Sequence, residues 1–483
     1  MSGQARAGIL WSSRNQTAGI LKRGELKVAV IGLGRIGLPT AALLAVGGAN
    51  VVGVDILNRV VVETNAGVCR LRDEPGLEKA VERAVKRGKL RATLDPAEAV
   101  PDAHFIVICV PTPVDSAKSP DYTAVVRASR TVGKLIRRGS IVIIESTIGP
   151  GVGESLVVPI IEAASGMKAG TDFGFASCPE RSDPGNIVAN MKTLPRVVGS
   201  SEERCGILVA AFYELALGVE VLRVSSPRTA NAVKLTENLF RDVNIALVNE
   251  FALLYEKFGI DTLEVIKACS TKYNFMPHYP GAGVGGPCLP SNAYYLIAEG
   301  IKVGNIPYLV RLAREINDRM PDHVAELATE ALNESGRTIK GARIAILGVA
   351  YKADVKDIQL APMERVVRKL AEMGGNLSVY DPMFAGETAF GYPVAKRIED
   401  VLEGAECIII GTDHAEFRKL SLAKIAKIVK PNAALVDARN LVSPLSARRM
   451  GFSYRGVGRS AGPAPTRSSG GLLGRESLLR STT

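Results

Sequence analysis

Three groups of residues in this 483-residue chain have the types and the spacing to do chemistry. The first surrounds Cys288. The run YPGAGVGGPCLPSN, residues 279–292, sets that thiol among four glycines, Gly283 and Gly285 among them, and three prolines. A free cysteine is most often an inert packing residue. In a loop whose glycines let backbone approach a ligand, a thiol is placed as a nucleophile. The other six cysteines, at 69, 109, 178, 205, 269 and 407, fall in strand or helix patterns and read as structural. The second group is KLTENLFRDVN, where Lys234, Asn238 and Arg241 are four and three residues apart and so share one helix face. A solvated polar stripe would look the same. However, Leu235, Leu239, Ile245 and Leu247 make much of the remaining surface apolar, and a buried cation there calls for a ligand. The third group is GLGRIG, with Gly32, Gly34 and Gly37 in GxGxxG register and Ile36 just ahead of the helix. Amides at such a helix start can approach a pyrophosphate closely. Asp55 ends the next strand, where a carboxylate bonds a ribose 2′-hydroxyl and repels a 2′-phosphate, so NAD is favoured over NADP. Arg59 lies near enough to meet a 2′-phosphate instead. A thiol beside a nicotinamide site, with a lysine to neutralise an oxyanion, suits oxidation of an aldehyde through a thiohemiacetal and a thioester. Such chemistry ends in an acid.

The elements that must position these residues follow from the apolar pattern. KVAVIG (27–32), a helical stretch and NVVGVD (50–55) make a βαβ unit. Short apolar runs at 105–110, 141–146 and 173–178 continue the alternation, which builds a parallel, doubly wound sheet. VPTP, with Thr112, and EST, with Thr147, end consecutive strands at the rim where such sheets bind ligands, so polar residues there are expected to face the cofactor. Apolar residues recur at helical spacing over 227–258 and 310–332, predicting long helices between domains. Strand and helix alternation restarts at ARIAILG (342–348). The expected fold is therefore α/β: two Rossmann-like, doubly wound parallel-sheet domains joined by a central helical region. The expected boundaries are a flexible tail over 1–24, a cofactor domain over 25–205, the helical region over 206–325, the second Rossmann-like domain over 326–450 and a flexible tail over 451–483.

Composition narrows the class. Hydrophobic residues at 47% and charged residues at 23% exclude wholesale disorder, and no apolar run approaches the ~20 residues of a membrane-spanning helix. The first residues lack the apolar core of a secretory signal, so a cytoplasmic location is expected. No CxxC pair, HExxH or HxH spacing occurs, which argues against a metal. The net charge of +11 suits an anionic ligand better than nucleic acid, because aromatic residues are only 5% and the basic residues form no block.

Taken in order, GLGRIG, VPTP, EST, CPERSDPG, KLTENLFRDVN, PGAGVGGPC and GVAYKADVKD resemble the UDP-glucose/GDP-mannose dehydrogenase family over roughly residues 26–445. The resemblance implies an N-terminal NAD domain, a central dimerisation region and a C-terminal UDP-sugar domain. It also implies a homodimer or higher homo-oligomer that oxidises the C6 alcohol of a nucleotide sugar to the uronic acid with two NAD. By resemblance, Cys288 is the nucleophile, Lys234 the oxyanion partner, Asn238 a contact to substrate and intermediate, and Glu180 with Thr147 the pair managing protons and water. Arg181, Arg241, Gly283, Gly285, Tyr351, Lys352 and Arg439 line the substrate, and Thr112, Thr147 and residue 359 join the glycine loop around NAD. CPERSDPGN is similar to the branch acting on N-acetylated hexosamines, which makes UDP-N-acetyl-D-mannosamine the expected substrate; UDP-glucose and UDP-N-acetylglucosamine are the alternatives. Two positions depart from the family pattern. Asn292 stands where the family has a proton-accepting Asp, and Gln359 where it has an Arg for the cofactor phosphates. These departures motivate a third possibility, a catalytically weakened nucleotide-sugar-binding relative.

Overall fold

A computed structural model describes residues 8–459. The first sheet has eight strands: β1 (Lys27–Ile31), β2 (Asn50–Val54), β3 (Leu90–Thr93), β4 (Phe105–Ile108), β5 (Ile141–Ile144), β6 (Gly174–Ser177), β7 (Arg196–Ser200) and β8 (Val221–Val224). Their order is β3-β2-β1-β4-β5-β6-β7-β8. Every residue of β4, β5 and β6 is buried, as a sheet covered by helices on both faces requires, and this is why these strands read as unbroken apolar runs. The order reverses between β1 and β4, which opens the ligand crevice beside Gly32 at the carboxyl end of β1. One pairing departs from the expected parallel pattern: β7 runs antiparallel to β6.

The second sheet is wholly parallel. It comprises β9 (Arg343–Leu347), β10 (Asn376–Tyr380), β13 (Cys407–Ile410), β14 (Ala434–Asp437) and β15 (Ser453–Gly456), in the order β10-β9-β13-β14-β15. A small hairpin of β11 (Thr388–Ala389) and β12 (Tyr392–Pro393) follows β10.

Between the sheets lie three helices that carry or brace the chemistry: Pro227–Phe258, Leu289–Lys302 and Tyr308–Glu334. The first starts sharply, with Ser226 Oγ accepting from the Thr229 amide and Pro227 in the first turn, and stops at Gly259, whose φ is 70°. A buried polar seam joins it to the third. Arg314 Nη1 donates to Asp242 (2.6 Å), Asn317 Nδ2 donates to Asp242 (2.9 Å), and Asn249 Nδ2 donates to Asn317 (2.9 Å). Asn249 Oδ1 then accepts the Gly281 amide, so the seam ends on the Cys288 loop.

The expected boundaries need four corrections. Residues 8–24 are not a loose tail: Ile9 and Leu10 are buried, and Ser13 and Gln16 form a capping box that opens the helix Arg14–Lys22. The first domain continues past residue 205, because β8 pairs with β7 and Leu208, Phe212 and Tyr213 join its core. The boundary at 325/326 falls inside the helix Tyr308–Glu334, and Met320, Val324 and Ala325 ahead of it already join the core of the second sheet. Leu327, Ala328, Ala331 and Leu332 belong to the same core. Finally, the ordered chain continues past 450, since Phe452, Tyr454 and Val457 are buried and β15 completes the sheet. The expected tail segments at residues 1–7 and 460–483 lie outside the described residues.

Candidate active site

The glycine loop has the shape a dinucleotide needs. Gly32 has a φ of 92°, the left-handed region that favours glycine. A Cβ on Gly37 would lie 1.8 Å from Gly32 O, so the helix start packs on the turn itself. A Cβ on Gly34 would meet nothing within 4 Å, which leaves the open side toward the crevice. Ile36 is the residue just before the helix Gly37–Val46. Asp55 accepts the Leu33 amide (2.9 Å) and the Leu57 amide (3.0 Å), standing partly exposed at the rim. Arg59 is turned outward, exposed, and donates to Glu63 (2.6 Å), one helical turn on. These residues fit NAD: room for a pyrophosphate at Gly34, a carboxylate at the ribose position, and a neighbouring cation already engaged elsewhere. Asp381 echoes Asp55 in the second sheet, but it is fully buried and takes the Val349 and Ala350 amides together with His414, so it has no face for a ribose.

The thiol sits where all three parts meet. Cys288, half-buried, precedes the helix Leu289–Lys302. Asn292 Nδ2 donates to Cys288 O (2.5 Å), and Asn238 Nδ2 donates to Asn292 Oδ1 (3.1 Å). Both bonds suit an amide, which donates to a carbonyl that a carboxylate would repel. Burial pushes the Cys288 thiol up; Asp357 and Asp183 add to this, and the Lys234 ammonium opposes it. Lys234 is 7% exposed, and among the described residues its ammonium has no hydrogen-bond partner. Glu180, on the loop after β6, receives the Arg181 and Ser182 amides (2.7 Å each) on one oxygen and Arg196 Nη2 (2.8 Å) on the other. Burial raises its carboxyl, but Arg196, Ser182 and Lys234 outweigh that and hold it below the usual carboxylate range.

Several expected contacts are arranged differently. Arg241 continues the face of Lys234 and Asn238 but stands exposed beyond the buried pair, apart from them. Gly283 and Gly285 meet protein and not open space. Their Cβ positions lie 2.8 Å from Asn317 O and 2.7 Å from Pro362 Cδ, so these glycines let the loop pack against the third helix and the second domain. Tyr351 supports that packing, its Cβ being 2.8 Å from the same position at Gly285. Lys352 is bridged to Asp183 and donates to Pro184 O (2.7 Å), joining the second domain to the CPERSDPGN loop. Arg439 donates to Asp413 (2.8 Å), and Arg181 forks onto Glu237. Gln359 leans on Asp357 (3.3 Å), while its carbonyl accepts the Gly286 amide (3.0 Å), so it shapes the loop through its backbone. Thr112 donates to Thr147 O (2.9 Å), and Tyr295 of the nucleophile's helix donates to Thr112 O.

The EST motif holds the largest correction. Glu145 does not face a cofactor: it is 2% exposed and held beneath the rim by Arg196, Tyr213 and Thr40. Arg196 itself had no signal in the sequence, where it is a lone arginine opening an apolar strand.

Comparison with known proteins agrees with this layout. Three models of the UDP-glucose/GDP-mannose dehydrogenase family match: the NAD binding domain over residues 26–217, the central domain over 228–319 and the UDP binding domain over 345–444. A UDP-N-acetyl-D-mannosamine dehydrogenase from Pyrococcus horikoshii is 37% identical over 90% of this chain and 99% of its own length. A UDP-N-acetyl-D-glucosamine 6-dehydrogenase from Pseudomonas aeruginosa is 33% identical over 86% of this chain and 97% of its own. The solved structure of UDP-D-ManNAc dehydrogenase from Pyrococcus horikoshii aligns with a TM-score of 0.83 over 90% of this chain and 99% of that one. The glycine loop, the central helix and the second parallel sheet thus correspond to three domains of one enzyme family, and the chain belongs to the UDP-glucose/GDP-mannose dehydrogenases, with NAD as its cofactor.

Proposed function

We propose that the chain oxidises the C6 alcohol of a UDP-N-acetylhexosamine, UDP-N-acetyl-D-mannosamine foremost, to the uronic acid in two successive two-electron steps. The observation that carries this is the meeting of Cys288, Lys234, Asn238 and Glu180 between the glycine loop and the second sheet. Gly32, Gly34, Gly37 and Asp55 would hold NAD, which when bound accepts the hydride of each oxidation. After the first oxidation the Cys288 sulfur bonds to C6 of the aldehyde, the C=O π bond breaks toward oxygen and the thiol proton passes to the bulk, giving a thiohemiacetal oxyanion. The unpartnered Lys234 ammonium stabilises the oxygen of that adduct. The second oxidation yields a thioester, which water cleaves to the acid and the free thiol. Asn292 cannot take a proton; it fixes the Cys288 backbone and the Asn238 amide. Glu180, with Thr147, is left to hold the water. Arg241, Lys352 and Arg439 contribute cations around the UDP phosphates, the last two once released from Asp183 and Asp413.

The exposed outer stripe of the central helix, Phe240, Leu247, Phe251, Leu254 and Phe258, supports assembly as a homodimer through that helix. The sugar assignment rests on the names of the relatives and on CPERSDPGN. A panel of UDP-sugars assayed with NAD and with NADP tests it. The highest kcat/KM is expected for UDP-N-acetyl-D-mannosamine with NAD, and a preference for UDP-glucose rejects the assignment.

A further inference from the structure

Five buried side chains lie beneath the site and take no part in the chemistry described above. Arg196, the first residue of β7, donates from Nη1 to Glu145 (2.8 Å) and from Nη2 to Glu180 (2.8 Å), bridging two carboxylates 35 residues apart in sequence. Glu145 is pinned in turn. Tyr213 OH donates to it at 2.6 Å, and Thr40, from the helix that follows the glycine loop, donates at 3.0 Å. The Cys109 thiol donates to it from 3.4 Å, and the Tyr213 ring covers the guanidinium at 4.5 Å. Arg196 is 6% exposed, Glu145 2%, and Tyr213 not at all. A guanidinium desolvated in this way cannot swing away without leaving two carboxylates uncompensated in a dry interior.

The charges therefore alternate from the sheet into the cleft: Glu145, Arg196, Glu180, Lys234, and then the Cys288 thiol. The groups facing Glu180 are Arg196 from β7, the Ser182 hydroxyl and amide from its own loop, Lys234 from the central helix, and the Cys178 and Cys109 thiols from the ends of β6 and β4, with Glu145 behind Arg196. Both thiols are pushed up by burial and stay neutral. Arg181, on the same loop, is occupied by Glu237.

We propose that Arg196, locked by Glu145, is a positioning residue that keeps Glu180 ionised and aimed into the cleft, where it acts as a fixed hydrogen-bond acceptor and not as a group titrating near neutrality. The proposal deepens the reading that Glu180 serves the oxidation of a UDP-sugar. It also gives the EST glutamate a role: through Thr40 it ties the helix under the cofactor to the acceptor at the substrate.

The test is an infrared titration of the full chain without substrate, with the Glu180 carboxyl band identified by its loss in Glu180→Gln. In the unaltered chain the band is expected only below the ordinary glutamate range, the direction in which Arg196, Ser182 and Lys234 hold it. In Arg196→Met it should appear roughly 2 pH units higher, and in Arg196→Lys, which keeps the charge but cannot fork onto both carboxylates, between the two. The acid limb of the kcat profile should move by the same amount. If Glu180 titrates at the same pH in the unaltered chain and in Arg196→Lys, the proposal is overturned, whether or not Arg196→Met folds. A loss of kcat at every pH with no displacement of the profile, the mark of a merely structural arginine, also overturns it. Because the titration needs no substrate, it is read even if no UDP-sugar turns over, an outcome that would count against the proposed reaction alone.

Discussion

Replacing Lys234 by alanine separates a catalytic cation from a binding stripe. Lys234 is 7% exposed, faces the Cys288 thiol and Glu180, and has no hydrogen-bond partner among the described residues. Its removal breaks no hydrogen bond, and the loss of its attraction to Glu180 is offset by no longer burying an ammonium, so the melting temperature should change little. What is lost is the charge that meets the adduct oxygen. Unit charges about 4 Å apart interact by about 4 kcal/mol at an effective dielectric constant of ~20. Deleting one preorganised oxyanion donor costs about 2.7–4 kcal/mol, so kcat should fall on the order of a hundred- to a thousandfold. Lys234 also opposes the burial of Cys288, so iodoacetamide should alkylate that thiol more slowly in the variant, with the pH midpoint displaced upward. Arg241 is the contrast. It stands exposed on the same face, so Arg241→Ala should raise KM more than it lowers kcat. Initial rates of NADH formation across substrate concentrations decide the matter. If Lys234→Ala also keeps its turnover and loses only affinity, the helix face is a binding stripe and the oxyanion is stabilised elsewhere.

Three further outcomes are expected. Asp55→Ala should narrow the preference for NAD over NADP by removing both the ribose acceptor and the repulsion of a 2′-phosphate; unchanged selectivity in paired kcat/KM measurements rules Asp55 out as the ribose residue. Arg314→Met should destabilise the fold by roughly 3–5 kcal/mol in a urea titration, because Asp242, held at 2.6 Å, is left buried without its cation. His323 sits between Glu256 and Glu326, and despite its burial these carboxylates raise its imidazole. A raised histidine stabilises the fold fully below its unfolded value of about 6.5 and loses that contribution as pH rises through the folded value. The melting temperature should therefore fall above neutrality in the unaltered chain and fall less in His323→Gln.

What could be read in the sequence was local. GLGRIG and Asp55 lie within one βαβ unit, and the spacing of Lys234 and Asn238 is a property of one helix, so both were accessible from residue order. Cys288 stood out because its loop is dense in glycine, although the reason for those glycines was different: at 283 and 285 they admit protein backbone and Pro362. Arg196 was invisible. Its partners lie 51 and 16 residues away, and only the antiparallel turn of β7 against β6 brings them together. The ends of the described chain are ordered for an energetic reason. Ile9 and Leu10 at one end and Phe452, Tyr454 and Val457 at the other bury enough apolar surface to order segments whose composition is otherwise polar and glycine-rich. Gln359 and Asn292, departures when set against the family pattern, make hydrogen bonds that suit an amide.

The most direct measurement is the number of NADH formed per UDP-sugar consumed, taken to completion and paired with mass analysis of Cys288 in the unaltered chain and in Cys288→Ser. The account requires two NADH for each uronic acid, a sugar adduct trapped on Cys288 during turnover, and no acid from Cys288→Ser even though that variant still binds NAD. One NADH per sugar with release of the aldehyde, or full acid formation by Cys288→Ser, would contradict it.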